Sequence, residues 1–203
     1  MGENLIWNVN DNDAHKAAFS NVVGAIELDI CFPEKVFSGV WSRFLFFQSD
    51  RMFAATFMEV VSELLGVENA GVCCLLNFSE TVSLEFDKAA AIFLDGMVPG
   101  NEYEVLLRGG GPAVGWLYST DRYGCASNVG DWCIYCEKEN DIAVMGIRNE
   151  HGIGKFRSPI EKLRAQPIEA LQYGKVGTLF PFSSLTGDWR IALTKHYGNR
   201  GGE

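Results

Sequence analysis

Apolar residues recur at two periods along the chain, and each change of period marks an element. Asn10 to Asp13 supply cap residues for a helix through His15, Ala17, Ala18, Phe19 and Val22. Ile26, Leu28 and Ile30 then alternate with Glu27 and Asp29, a period of two that predicts a strand over 25–31 before the turn at Pro33. From Asp50 to Leu65 the period becomes helical. Phe53, Phe57, Val60, Val61 and Leu64 form one stripe while Thr56, Glu59 and Glu63 face away, with Ser49 as cap and Gly66 as stop.

The run from Gly71 to Phe78 is continuously apolar and reads as a buried strand, in which Cys73 and Cys74 behave as small hydrophobes. Alternation returns at Val82, Leu84 and Phe86 and again at Tyr103, Val105 and Leu107, predicting two strands with a short helical piece from Lys88 to Leu94 between them. Gly109 to Pro112 and Glu139 to Asp141 read as the turns of two successive hairpins. The first leads into Ala113–Tyr118, and the second joins Trp132–Glu137 to Ile142–Ile147. Ser158, Pro159 and Glu161 have the spacing of a helix start, and this helix runs to Tyr173 with Pro167 kinking or splitting it. Asp188 opens a last helix through Trp189, Leu193 and Tyr197.

At 203 residues and 47% apolar side chains the chain is long and hydrophobic enough for a large core, which excludes a disordered segment. Residues 1–203 therefore read as a single α+β domain, a mostly antiparallel central sheet flanked by helices, with 1–10 and 199–203 fraying. Arg43, Asp50 and Arg51 interrupt the aromatic-rich stretch from Val36 to Leu65, so no span crosses a bilayer. The acidic start, with Glu3, Asp11 and Asp13, lacks the pattern of an export signal or transit peptide. A cytoplasmic protein with free thiols is expected.

Charge narrows the choice of partner. Residues 1–150 hold 22 Asp/Glu against 9 Lys/Arg, a balance of −13, whereas residues 151–203 hold 4 against 8, a balance of +4. An acidic body repels phosphate backbones, so nucleic acid is disfavoured and a cationic protein partner is expected. Assembly with further copies of the chain stays open.

Several constellations carry chemistry in principle. Cys133 and Cys136 have the spacing of a redox or zinc half-site, but residues three apart on a strand face opposite ways, so no metal and no cofactor are expected there. The Gly109–Pro112 run lacks the helix start and Lys-Ser/Thr of a phosphate loop and reads as a turn. Cys125, Asp131 and His151 are the one trio with nucleophile, base and orienter chemistry, and they define an alternative reading as a small hydrolase. Carboxylates are paired at Glu27/Asp29 and Glu102/Glu104 and clustered at Glu137, Glu139 and Asp141. Such groups hold a metal, share a proton or form an acidic recognition face. Arg148, Lys155, Arg157, Lys162 and Arg164 make a basic segment around His151.

The stretch from Asp131 to Ile147, with its order of aromatic, Ile-Tyr, acidic turn and Ile-Ala-Val, resembles a sheet hairpin of bacterial polymorphic-toxin immunity proteins. The closing stretch from Asp188 to Gly198 resembles their helical ends. The resemblance implies a cytoplasmic inhibitor that binds a toxin and occludes its active site, and it transfers no functional residue. On charge grounds the expected contacts are Glu102, Glu104, Glu137, Glu139 and Asp141, with Trp132 or Tyr135 as aromatic anchors where exposed. A scaffold subunit that pairs with copies of itself is the third alternative.

Overall fold

The computed structural model describes residues 12–79, 85–109, 115–173 and 185–198. Its centre is a six-stranded sheet in the order β1-β6-β5-β4-β2-β3, antiparallel at every pairing. The strands are β1 (Arg43–Gln48), β2 (Cys73–Asn77), β3 (Ala91–Leu94), β4 (Arg122–Ser127), β5 (Trp132–Glu137) and β6 (Ile142–Ile147). Helices cover both faces, so the α+β class stands.

The two-sided cover explains why the strand sequences are apolar at nearly every position. Side chains alternate between faces along a strand. In β1, Leu45 and Phe47 join one cluster and Phe44 and Phe46 the other. On the first face lie α2 (Phe57–Glu68), α3 (Gly100–Leu107) and α5 (Arg157–Leu163). On the second lie α1 (Asn12–Ala25), the 26–37 segment, α6 (Ile168–Tyr173) and α7 (Gly187–Tyr197). One further turn of helix, α4 (Trp116–Ser119), precedes β4. Where α1 crosses β4 the sheet needs a glycine: a Cβ on Gly124 would lie 2.6 Å from the Phe78 ring and 2.7 Å from Val22 Cγ1.

Several expected elements form as read. The β5–β6 hairpin has the expected bounds, with Asp141 in the left-handed region at φ 53°. Cys133 and Cys136 do face opposite sides, one in each core cluster. The helix expected from Ser158 splits about Pro167 as read: α5 ends at Leu163 with Arg164 as its left-handed cap, Gln166 pairs with Phe46 beside β1, and α6 begins at Ile168. Its start differs, since α5 opens at Arg157 after Phe156 and the Ser158 side chain bonds Glu63 and caps nothing.

Others differ. The 25–31 strand does not form. The Ile30 and Glu34 amides turn back onto Glu27 and Cys31 carbonyls and the Phe32 amide donates to the Glu137 side chain, leaving one isolated bridge, Ile26 with Phe37. The strand expected over 102–107 is the helix α3. Tyr103 and Leu107, four apart, are both fully buried while Val105 is 67% exposed, a helical stripe that mimics alternation over three positions. The helix expected over 88–94 is strand β3, because pairing with β2 supplies its backbone partners. The helix expected from Asp50 begins as a separate turn, Ser49–Met52, and α2 proper starts at Phe57, continues past Gly66 and stops at left-handed Asn69. Ser49 caps nothing; its hydroxyl donates to Asp141 Oδ1 at 2.9 Å. Trp116–Ser119 is helical, so the first of the two hairpins is not formed. Residues 82–84 of the expected 82–86 strand, Gly110 to Pro112, and the termini expected to fray lie outside the described residues. Phe86 itself opens a short helical turn.

Candidate functional site

The trio Cys125, Asp131 and His151 is not assembled. Cys125 lies in the middle of β4, paired with Leu75 and Ile134 and fully buried. A hydrogen bond with Cys73, and then burial, push its thiol well above the ordinary range, so it supplies no thiolate near neutral pH. Asp131 accepts from Lys155 at 2.9 Å, and its own amide donates to Glu68 Oε1 at 2.8 Å. The backbone of His151 belongs to the turn Glu150–Phe156, and its side chain lies outside the described residues. Thiol and carboxylate are engaged with other groups, and neither serves the other.

Most of the expected acidic face dissolves as well. Trp132 and Tyr135 are buried in the two cores and cannot anchor a partner. Glu137, 5% exposed, accepts from the Phe32 amide, the Tyr135 hydroxyl and the Asn140 amide, so it is spent on holding the fold. Asp141 accepts from Ser49 and Gln48. Glu139 remains exposed, as do Glu27 and Asp29, but the last two share no strand face because no strand forms there. Glu102 and Glu104 are on α3, two residues apart and so on different sides of the helix. Glu102 is exposed and Glu104 approaches Arg108 at 4.0 Å. Among the described residues no group of three or more His, Cys, Asp or Glu is placed to hold a metal ion.

Charge does converge in a groove on the first face. Lys162 on α5 reaches two carboxylates one turn apart on α2, Glu59 at 2.9 Å and Glu63 at 3.0 Å. A hydrogen bond from Ser158, and then Lys162, hold the Glu63 carboxyl below its ordinary range. The opposite wall is the link from β3 to α3, which contributes Gly96, Val98 and Gly100. Gly100 is required there because a Cβ would fall 2.5 Å from the Ala55 carbonyl oxygen. The groove encloses about 550 Å³. At its lip Met97, between two lining residues, is 85% exposed.

Helical phase already turned Glu59 and Glu63 outward, and Lys162 belonged to the basic segment. Their meeting had no signal in the sequence, because it joins residues 103 apart along the chain. The place of Met97 at the groove was missed because the link was expected between a helix and a strand, and it joins a strand to a helix.

Neither a family model, nor a curated protein, nor a solved structure matches the chain. No helix among the described residues is long and apolar enough to cross a membrane.

Proposed function

We propose that this protein is an acidic protein-binding module whose contact surface is the groove between α2 and the β3–α3 link. The observation that carries the reading is the exposure of Met97, whose two chain neighbours line a groove walled by Glu59 and Glu63, with Asp95 and the exposed Glu102 close to it along the chain. An exposed apolar side chain costs free energy in water and gains it when a partner covers it, whereas nearby carboxylates choose a partner of opposite sign and accelerate its approach. The −13 balance of residues 1–150 extends that attraction beyond the groove. A cationic protein fits this surface. The immunity-protein reading is one member of this class, its partner a basic toxin whose active site the bound module covers.

The test uses the full chain as bait at low salt in an extract of its source, beside two variants, Met97→Glu and Glu102→Lys. The expected result is a basic polypeptide that wild type retains, that releases as salt rises, and that both variants lose while their circular dichroism is unchanged. Equal retention by both variants, or recovery of no basic polypeptide, ends the proposal.

A further inference from the structure

The two edges of the sheet are treated differently by the chain. At β1 the Phe46 amide and carbonyl are both bonded to Gln166, at 2.7 and 2.9 Å, so the outward groups of that residue are met from within. At β3 no such cover stands among the described residues. The Asn77 amide donates to the Ala90 carbonyl at 2.9 Å, and the β2–β3 register, continued by one residue, sets these two opposite each other. In an antiparallel ladder a residue turns both backbone groups to the same neighbour and the next residue turns both away. Ala90, Ile92 and Leu94 therefore serve β2, while the amides and carbonyls of Ala91 and Phe93 point outward and are bonded to no group among the described residues. The side chains are incompletely covered as well: all of β3 is apolar, yet only Leu94 is fully buried, whereas β2 beside it is buried throughout.

An open edge pairs with a strand that matches it, and β3 matches itself. A twofold axis at Ile92, perpendicular to the sheet, sets Ala91 of one copy opposite Phe93 of the other. Each such pair exchanges two amide-to-carbonyl bonds, which satisfies every one of these outward groups on both copies. Other placements of the axis do not. At Ala91 it would oppose Phe93 to Ala89, whose amide is already on the Glu85 carbonyl, and at Phe93 it would oppose Ala91 to Asp95, whose carbonyl already accepts the Val98 amide. The side chains agree with the register. The axis keeps each face of the sheet on its own side, so half-buried Ile92 stands beside its equivalent on the first face. On the second face the Phe93 ring, backed by His15 at 4.5 Å and Phe86 at 5.7 Å, stands beside the small Ala91 of the other copy.

We propose that β3 pairs with β3 of a second copy of this chain, forming a symmetric dimer with one sheet continuous across both. An edge of four residues is short, so the association is weak and follows protein concentration. The pairing is separate from the protein-contact reading, which rests on Met97 and the groove. The two also respond to salt with opposite signs. Each copy carries a net charge of −9, so screening favours self-pairing, whereas it releases a cationic partner.

Sedimentation equilibrium of the full chain up to about 1 mM, with amide hydrogen exchange followed by NMR, tests the pairing. The expected result is a dimer whose dissociation constant falls as salt rises, and slower exchange of the Ala91 and Phe93 amides as protein concentration rises. Ala91→Pro removes an outward donor while leaving the bonds to β2 in place, and it is expected to weaken the dimer about tenfold or more with circular dichroism unchanged. The exchange measurement on wild type decides the matter if the proline variant fails to fold. A chain still monomeric at about 1 mM, or a dimer that loosens as salt rises, overturns the proposal. So does a dimer undiminished in folded Ala91→Pro, or exchange of these two amides that ignores concentration.

Discussion

Glu137 Oε1 accepts the Phe32 amide at 2.7 Å, joining the end of β5 to a segment that precedes it by more than a hundred residues. The same oxygen accepts the Tyr135 hydroxyl at 2.8 Å, and Oε2 accepts from Asn140. Burial, and then the Glu137 charge, push the Tyr135 phenol upward, so it stays a donor. Glu137→Leu leaves both buried donors without an acceptor and should cost about 3–5 kcal/mol, whereas Glu137→Gln keeps one oxygen and should cost less. Urea unfolding measures the difference; a loss for the leucine variant under about 1 kcal/mol would contradict this account.

The thiols divide sharply. All six cysteines are free, Cys31 is exposed and the other five are buried in the sheet. Burial pushes Cys133 up to about 12 and raises Cys74 and Cys136 well above the ordinary range. An aromatic disulfide reagent near pH 8 should therefore modify one thiol quickly in the native protein and the rest only after denaturation. A second fast thiol, above all Cys125, would reopen the hydrolase alternative.

Acid stability should depend on Glu63 and Glu68 with opposite signs. The Ser158 hydrogen bond and Lys162 lower Glu63, so its folded form binds a proton less readily than its unfolded form. Its contribution is present above the ordinary glutamate range and lost as pH falls through the lowered value. Burial raises Glu68, so its carboxylate opposes folding at neutral pH and that opposition fades as pH falls through the raised value. Denaturant midpoints from pH 7 down to 3 for wild type and Glu63→Gln should differ most at the upper end and converge at the lower. A gap that widens on acidification would reverse the assignment.

Two glycines should respond in opposite directions to alanine. Gly124→Ala drives a methyl into Phe78 and Val22 and should destabilise by about 1–3 kcal/mol. Gly66 lies within α2 with nothing within 4 Å of its notional Cβ, so Gly66→Ala should stabilise by about 0.5–1 kcal/mol. Thermal unfolding of both variants checks the pair.

Where a local signal was strong and its partner adjacent in the chain, the sequence was sufficient. The β5–β6 hairpin follows from alternating apolar runs about an acidic turn. The break between α5 and α6 follows from Pro167, and the opposed thiols of Cys133 and Cys136 follow from strand geometry. Strand β4 was not legible because Gly124 and Ser127 dilute its hydrophobic signal; β2 and β5 on either side supply its hydrogen bonds. The short apolar patterns at 88–94 and 102–107 were assigned each other's structure, since six or seven residues fit both periods and only burial against α2 and β2 distinguishes them.

For the site, outward-facing Glu59 and Glu63 and the basic residues Lys162 and Arg164 were properties of the chain itself, set by helical phase and composition. Which charges cancel was decided by how α2 and α5 meet. Coulomb interactions depend on distance in space, and separation along the sequence does not report it.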